Sequence, residues 1–211
     1  MKPTKIIIIG PQGSGKGTQA ELLAKHLQVP ALAMGQLLRD EIAQGSEIGK
    51  KIDSILKAGN LVSDQVAAQV LQNRLAKPDA VNGYVLDGYP RNLSQYEAFT
   101  FDAPTALLVL EVPREESLKR LSGRVSCSVC GKIGSMRDGI KIGNLCPCGG
   151  KFVQRADDTE VAISRRLQVY HDDTIPVIQQ YEKQGIVHRV NGVGSIEEIH
   201  QRILKVIKLE K

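Results

Sequence analysis

The stretch "IIIIGPQGSGKGTQAELLAKHL", residues 6–27, decides how this chain of 211 residues folds. Its four consecutive isoleucines do not alternate with polar residues, which is the pattern of a central parallel strand buried on both faces. "GPQGSGKGT" (10–18) follows that strand and opens a helix, on which Ala20, Leu23, Ala24 and Leu27 recur at helical spacing. Strand, glycine loop and helix in this order make a phosphate-binding loop. Gly10, Gly13 and Gly15 permit positive φ and close backbone approach, so successive N–H groups can face a polyphosphate. The helix N-terminus adds a partial positive charge, and Lys16 supplies a point charge for the β- and γ-phosphates.

The same unit recurs outward from this segment. "YVLD" (84–87), "ALLVLEV" (106–112) and "IVHRV" (186–190) read as further buried strands, separated by amphipathic stretches such as 66–75 and 114–121. Ser195 and Glu198 stand at capping-box spacing before a last helix that puts Ile196, Ile199, Ile203 and Val206 on one face. Strands alternating with helices predict an α/β fold, a doubly wound five-stranded parallel sheet with ligands at the carboxyl ends of its strands. Residues 34–62 are helical and glycine-punctuated, and residues 125–156 are rich in Cys and Gly. Both read as insertions over a core formed by 1–33, 63–124 and 157–211.

A charged fraction of 24% and a hydrophobic fraction of 42% exclude disorder and allow a full core. The net charge of +5 comes without a Lys/Arg run of five, so nucleic acid is not expected as a partner. The apolar run near the start is too short for a signal peptide or a membrane span, which predicts a cytoplasmic protein with reduced thiols and no membrane partner.

General phosphate loops place Ser or Thr directly after the lysine to ligate Mg²⁺, but here Gly17 stands in that place, followed by Thr18. Magnesium is then expected to be held through water and a carboxylate, for which Asp87 at the end of "YVLD" is the candidate. "GPQGSGKGT", "DGYPR" (87–91) and "QRADD" (154–158) together resemble the signatures of adenylate kinases, within the nucleoside monophosphate kinases. The resemblance runs nearly end to end, in order and spacing.

That resemblance implies the Mg²⁺-dependent reaction ATP + AMP ⇌ 2 ADP, carried out by positioning and charge neutralisation rather than by a covalent nucleophile. Arginine suits the task because it stays charged and grips phosphate in a planar fork. The implied catalytic set is Lys16, Asp87, Arg91, Arg124, Arg155 and Arg166. ATP would be held by Gly13, Ser14, Gly15, Lys16, Gly17, Thr18 and Gly194, with Arg124 on its phosphates and Arg120 against the base. AMP would be held by Met34, Arg39, Asn60, Leu61, Val62, Gly88, Tyr89, Pro90, Arg91 and Gln95, with Arg155 and Arg166 completing the clamp. Asp157 and Asp158 would pair with arginines of a closing lid. His26, His171, His188 and His200 sit in ordinary helix or strand contexts and are assigned no chemistry.

Members of the family usually read Ser-Thr-Gly-Asp where this chain has Ala33-Met34-Gly35-Gln36, so a hydroxyl near AMP is replaced by a thioether. Gln95 stands where the family uses a glutamine to recognise adenine, its amide matching the N6 and N1 edge. AMP is therefore expected as acceptor, in preference to UMP or CMP.

All four cysteines fall in "CSVCGKIGSMRDGIKIGNLCPC" (127–148), as Cys127-x₂-Cys130 and Cys146-x-Cys148. Four thiolates at this spacing suit a tetrahedral S₄ site, most simply for a structural Zn²⁺, with iron, two disulfides or a metal-free reduced cluster as alternatives. Many bacterial members of the family carry a metal-binding lid here with C-x₂-C in both arms, and this chain is one residue short in the second, where Gly149 and Gly150 offer backbone freedom. Such a metal would hold Arg124 and Arg155 at their separation. Two other functions compete: a zinc-ribbon nucleic-acid-binding protein regulated through the phosphate loop, and a switch of GTPase type. Few basic residues and the single aromatic Phe152 in the cluster segment oppose the first. Gly17 and the lack of a guanine-reading motif oppose the second. A monomer is the default expectation.

Overall fold

The computed structural model describes residues 3–57, 62–154 and 159–208. In chain order the larger layer contains β1 (Thr4–Ile9), α1 (Lys16–Leu27), β2 (Ala31–Ala33), α2 (Met34–Gln44), α3 (Glu47–Lys57), α4 (Asp64–Leu75), β3 (Gly83–Asp87), α5 (Leu93–Ala98), β4 (Ala106–Glu111) and α6 (Arg114–Ser122). A smaller unit follows, of β5 (Arg124–Cys127), β6 (Ile133–Ser135) and β7 (Phe152–Val153). The chain then returns through α7 (Glu160–Val169), a π-helical turn (Tyr170–Thr174), α8 (Ile175–Lys183), β8 (Val187–Asn191) and α9 (Ile196–Lys208).

The large sheet has five parallel strands in the order β2-β3-β1-β4-β8. The isoleucine run explains why β1 is central. Ile7 and Ile9 enter a core with Val66, Val70 and Leu71 of α4 and Val177, Ile178 and Tyr181 of α8. Ile6 and Ile8 enter the opposite core, with Ala20 and Leu23 of α1 and Ile199 and Ile203 of α9. A strand covered by helices on both faces has no solvent face on which to place polar residues, and burying each isoleucine contributes on the order of 1.5–3 kcal/mol.

Three readings of the sequence need adjustment. β2 went unnoticed because Ala31–Ala33 is three residues long with no β-branched side chain; its pairing with Val85 to Asp87 makes it a strand. Ile196 was expected on the buried face of α9, yet it is 55% exposed, while Ile199 and Ile203 are buried and Val206 packs partly against them. Ile196 is the first residue of the helix, one turn before the buried Ile199. His171 falls in the π-helical turn rather than a regular helix.

The second sheet is antiparallel, in the order β6-β5-β7, and encloses a small core of Val125, Cys127, Cys146 and Phe152, with Ile140 packed against it. Among the described residues no helix is long and apolar enough to cross a membrane.

Candidate active site and sulfur cluster

Gly13 and Gly15 take positive φ of 84° and 91°, as a phosphate loop requires. Gly10 does not. It is glycine because a Cβ there would lie 2.6 Å from the Leu110 carbonyl oxygen and 2.8 Å from Ser14 Oγ. Crowding against β4, not backbone handedness, excludes a side chain. Ser14 is fully buried and its N–H donates to the Pro11 carbonyl at 3.1 Å, so its hydroxyl faces the interior. Thr18 is partly buried in the first turn of α1.

Lys16 Nζ donates to the carbonyls of Gly10 at 2.8 Å and Pro11 at 2.9 Å, threading back across its own loop. Burial lowers this ammonium to about 8; Asp87 opposes the shift, and Arg91 and Arg124 reinforce it. The Asp87 carboxyl is raised by burial, with Lys16 and Arg91 pulling the other way. Lys16 therefore lies within electrostatic reach of Asp87, Arg91 and Arg124, near the carboxyl ends of β1 and β3. Gly17 leaves room beside the carboxylate, since a Cβ there would stand 3.4 Å from Asp87 Oδ2. Asp87 Oδ1 is buried with no hydrogen-bond partner among the described residues. An acceptor buried in this way is costly unless it meets a donor or a cation, so the carboxylate fits a hydrated Mg²⁺.

Arg91 folds over Gly88, donating from Nε to its carbonyl at 2.8 Å. Gly88 takes φ of 84°, and a Cβ there would meet Arg91 Nη2 at 2.8 Å. Tyr89 and Pro90 are buried, and the Tyr89 hydroxyl donates to the Gln95 carbonyl at 3.2 Å, so both support the turn from beneath. Gln95 Oε1 accepts from the Arg91 N–H at 2.8 Å, and its Nε2 donates to Asp64 at 2.7 Å. Asn92 caps α5 by accepting from the Gln95 N–H at 2.7 Å.

Met34 is 5% exposed and lies within the core, where Val62 packs partly against the same cluster. Arg39 is exposed on α2 and donates to Gln36 Oε1 from Nη2 at 2.6 Å. The tip of the small sheet comes close to that amide, since a Cβ on Gly131 would be 3.3 Å from Gln36 Oε1.

Arg120 joins three segments. It pairs with Glu116 at 2.7 Å, reaches the Ser14 carbonyl at 3.4 Å and donates to the Gly192 carbonyl at 3.0 Å. Gly194 has φ of 127° on the same loop, which Arg202 braces by donating to the Asn191 carbonyl at 2.9 Å. Sequence reasoning missed Arg202 and Asp64, whose contacts are with residues of other elements. Arg166 is half-buried on α7, where Ile163 and Leu167 pack against Leu121 of α6. Asn60, Leu61, Arg155, Asp157 and Asp158 lie outside the described residues.

The four cysteines converge. All four Sγ atoms lie within 4.8 Å of one another. The close pairs join the arms: Cys127 to Cys148 at 3.4 Å and Cys130 to Cys146 at 3.7 Å. The edge of a tetrahedron with Zn–S bonds of about 2.3 Å is about 3.8 Å. A disulfide would need about 2.05 Å. The short second arm thus still delivers Cys148, through a turn in which the Gly149 N–H donates to the Cys146 carbonyl at 2.8 Å and Gly149 takes φ of 87°. Gly150 leaves room for sulfur, since a Cβ there would fall 2.6 Å from Cys127 Sγ. The backbone N–H groups of Cys130 and Val129 pull the Cys127 thiol down to about 6. Cys130, although it receives the Lys132 N–H, is pushed up to about 12 by the neighbouring thiols, Cys148 first. A soft cation among these sulfurs would relieve that crowding of negative charge, and the donor set fits Zn²⁺.

Comparison with known proteins shows the family. The family model described as adenylate kinase matches residues 8–186. An adenylate kinase of Streptomyces avermitilis is 41% identical over 215 residues, covering 98% of each chain. One from Syntrophobacter fumaroxidans is 40% identical over 210 residues, covering 96% of this chain and 99% of the relative. One from Methanothrix thermoacetophila is 39% identical over 209 residues, covering 96% and 97%. With its phosphate loop, parallel sheet and 39–41% identity to these enzymes over nearly its full length, the chain belongs to the adenylate kinase family of phosphotransferases.

Proposed function

We propose that this chain catalyses ATP + AMP ⇌ 2 ADP in the cytoplasm as a monomer, maintaining adenine nucleotide balance, with neither nucleic acid nor membrane as partner. The observation that carries the reading is that Lys16 of the phosphate loop lies within electrostatic reach of Asp87, Arg91 and Arg124. Lys16 reaches the β- and γ-phosphates of ATP by leaving the two carbonyls it now bonds. Arg124, Arg155 and Arg166 draw charge off the moving phosphoryl group, while Arg91 and Arg39 grip AMP. Asp87 would hold magnesium through water, and that cation supplies charge neutralisation between the phosphates. Residues 34–62 form the AMP-binding insertion and residues 125–156 the lid that keeps water from the transferring group.

With ATP as donor, AMP should be by far the best acceptor in a coupled assay, and comparable turnover with UMP or CMP would overturn the assignment. The cysteine cluster we assign to a structural Zn²⁺ held by Cys127, Cys130, Cys146 and Cys148. Structural zinc supplies on the order of 10 kcal/mol to a module with so small a core. Elemental analysis should find stoichiometric zinc, and chelation should lower the melting temperature more than it alters the active-site chemistry. Freshly reduced, anaerobically purified protein without metal would refute this.

A further inference from the structure

We infer that Asp64 is a positioning residue that fixes the orientation of the Gln95 amide and so makes the monophosphate site selective for 6-amino over 6-oxo purines. The inference rests on the reading above that Gln95 meets the base of AMP. An amide has two near-isosteric orientations, and only its hydrogen-bonding surroundings choose between them. Here the two neighbours leave no choice. The Arg91 N–H can only donate, and it faces Oε1 at 2.8 Å. The Asp64 carboxylate only accepts, and it faces Nε2 at 2.7 Å. Reversing the amide would set donor against donor at Arg91 and acceptor against acceptor at Asp64.

Asp64 is itself placed by two elements. It is the first residue of α4, just after the cap Ser63, and Asn92 Nδ2 leans on it at 3.4–3.5 Å while the Asn92 side-chain oxygen caps α5. Asp64 therefore ties the start of α4 to the start of α5, the helix that carries Gln95.

These bonds use one lone pair of Oε1 and one hydrogen of Nε2. One acceptor site and one donor site remain, in fixed order. Adenine offers an N6 amino donor and an N1 acceptor, which match that order. A 6-oxo purine offers an acceptor at position 6 and an N1–H donor, which match only the reversed amide. Discrimination then arises from the carboxylate behind the glutamine as much as from the glutamine itself.

The test compares AMP with inosine monophosphate, which differs at the 6-position and N1. Asp64→Asn keeps the side-chain shape but can accept from or donate to Gln95, so it removes the half of the directional preference that Asp64 supplies and leaves only the Arg91 N–H. The ratio of kcat/KM for AMP over inosine monophosphate should fall roughly tenfold, while kcat with AMP stays within about twofold. Asp64→Ala should lower the ratio similarly and raise KM for AMP. A packing role alone would weaken both substrates together and leave the ratio fixed. The proposal fails if the ratio is unchanged in both variants while Gln95→Ala still depresses kcat/KM for AMP, in which case AMP recognition by Gln95 stands without Asp64. A wild-type enzyme that uses UMP or CMP as well as AMP removes the underlying reading and this inference with it.

Discussion

Raising the pH from 7 to 9 should weaken MgATP binding roughly tenfold, because Lys16 must regain a proton to meet the phosphates. Burial brings this ammonium to about 8, from an ordinary value of 10.5. Below about 8 the group is charged and binding needs no proton. Above it the free protein holds a neutral amine, and a polyphosphate alongside restores the charge, so each bound nucleotide takes up a proton. The fraction neutral rises from about one tenth at pH 7 to about ten elevenths at pH 9, which gives the tenfold loss. Isothermal titration with MgATP, repeated in buffers of different ionisation enthalpy, should find about half a proton taken up at pH 8. Lys16→Arg should flatten the profile, since a guanidinium stays charged throughout. Affinity independent of pH in the wild type, or proton release on binding, would refute the reasoning. The folding equilibrium runs in the opposite sense: burying the charged amine costs stability in full below about 8, and the cost fades as the pH rises toward 10.5.

Gly150→Ala would push a methyl to 2.6 Å from Cys127 Sγ and 2.9 Å from Val129 Cβ. It should cost about 1–3 kcal/mol and weaken zinc retention in competition with a chelator; unchanged retention would contradict the packing described. Ser195→Ala removes the hydroxyl that accepts from the Glu198 N–H at 3.2 Å, and with it half of the capping box of α9. A loss of about 1 kcal/mol, read as a fall of about 2–4 °C in melting temperature, is expected by calorimetry. His200 is lowered by burial, with Glu197 opposing and His26 reinforcing, so the native state favours the neutral ring. Its contribution is intact above the ordinary value of 6.5 and is lost as the pH falls below it. His200→Gln should therefore lessen the acid sensitivity seen in urea denaturation between pH 7 and pH 5, and an unchanged slope would count against it.

The parts legible in the sequence were those written in strong local patterns. The isoleucine run placed β1 at the centre of the sheet, and the spacing of Ser195 and Glu198 announced the start of α9, where the Ser195 N–H does donate to Glu198 at 2.7 Å. What escaped depends on partners distant in the chain. Ala31–Ala33 becomes a strand only beside β3, so no propensity within those residues reveals it. Gly10, read for backbone freedom, instead serves clearance from Leu110, a residue 100 positions away. Motif spacing showed that four cysteines suit one metal, but not that the close pairs would cross between arms. The role of Asp64 was hidden for the same reason. A carboxylate opening a helix reads as a favourable charge near the dipole, and its grip on Gln95 exists only once α5 lies against α4.

Arg120 has a mechanical consequence. It stands on α6, the helix that runs directly into β5 and the cysteine-bearing sheet, yet its guanidinium holds the phosphate loop at Ser14 and the β8–α9 loop at Gly192. Any swing at the base of the small sheet therefore tugs on two loops of the core through a single side chain. In the lid reading proposed above, this one side chain would couple the small sheet to two loops beside the nucleotide, and a change that slackens it should disturb the timing of closure and capture before it disturbs either grip.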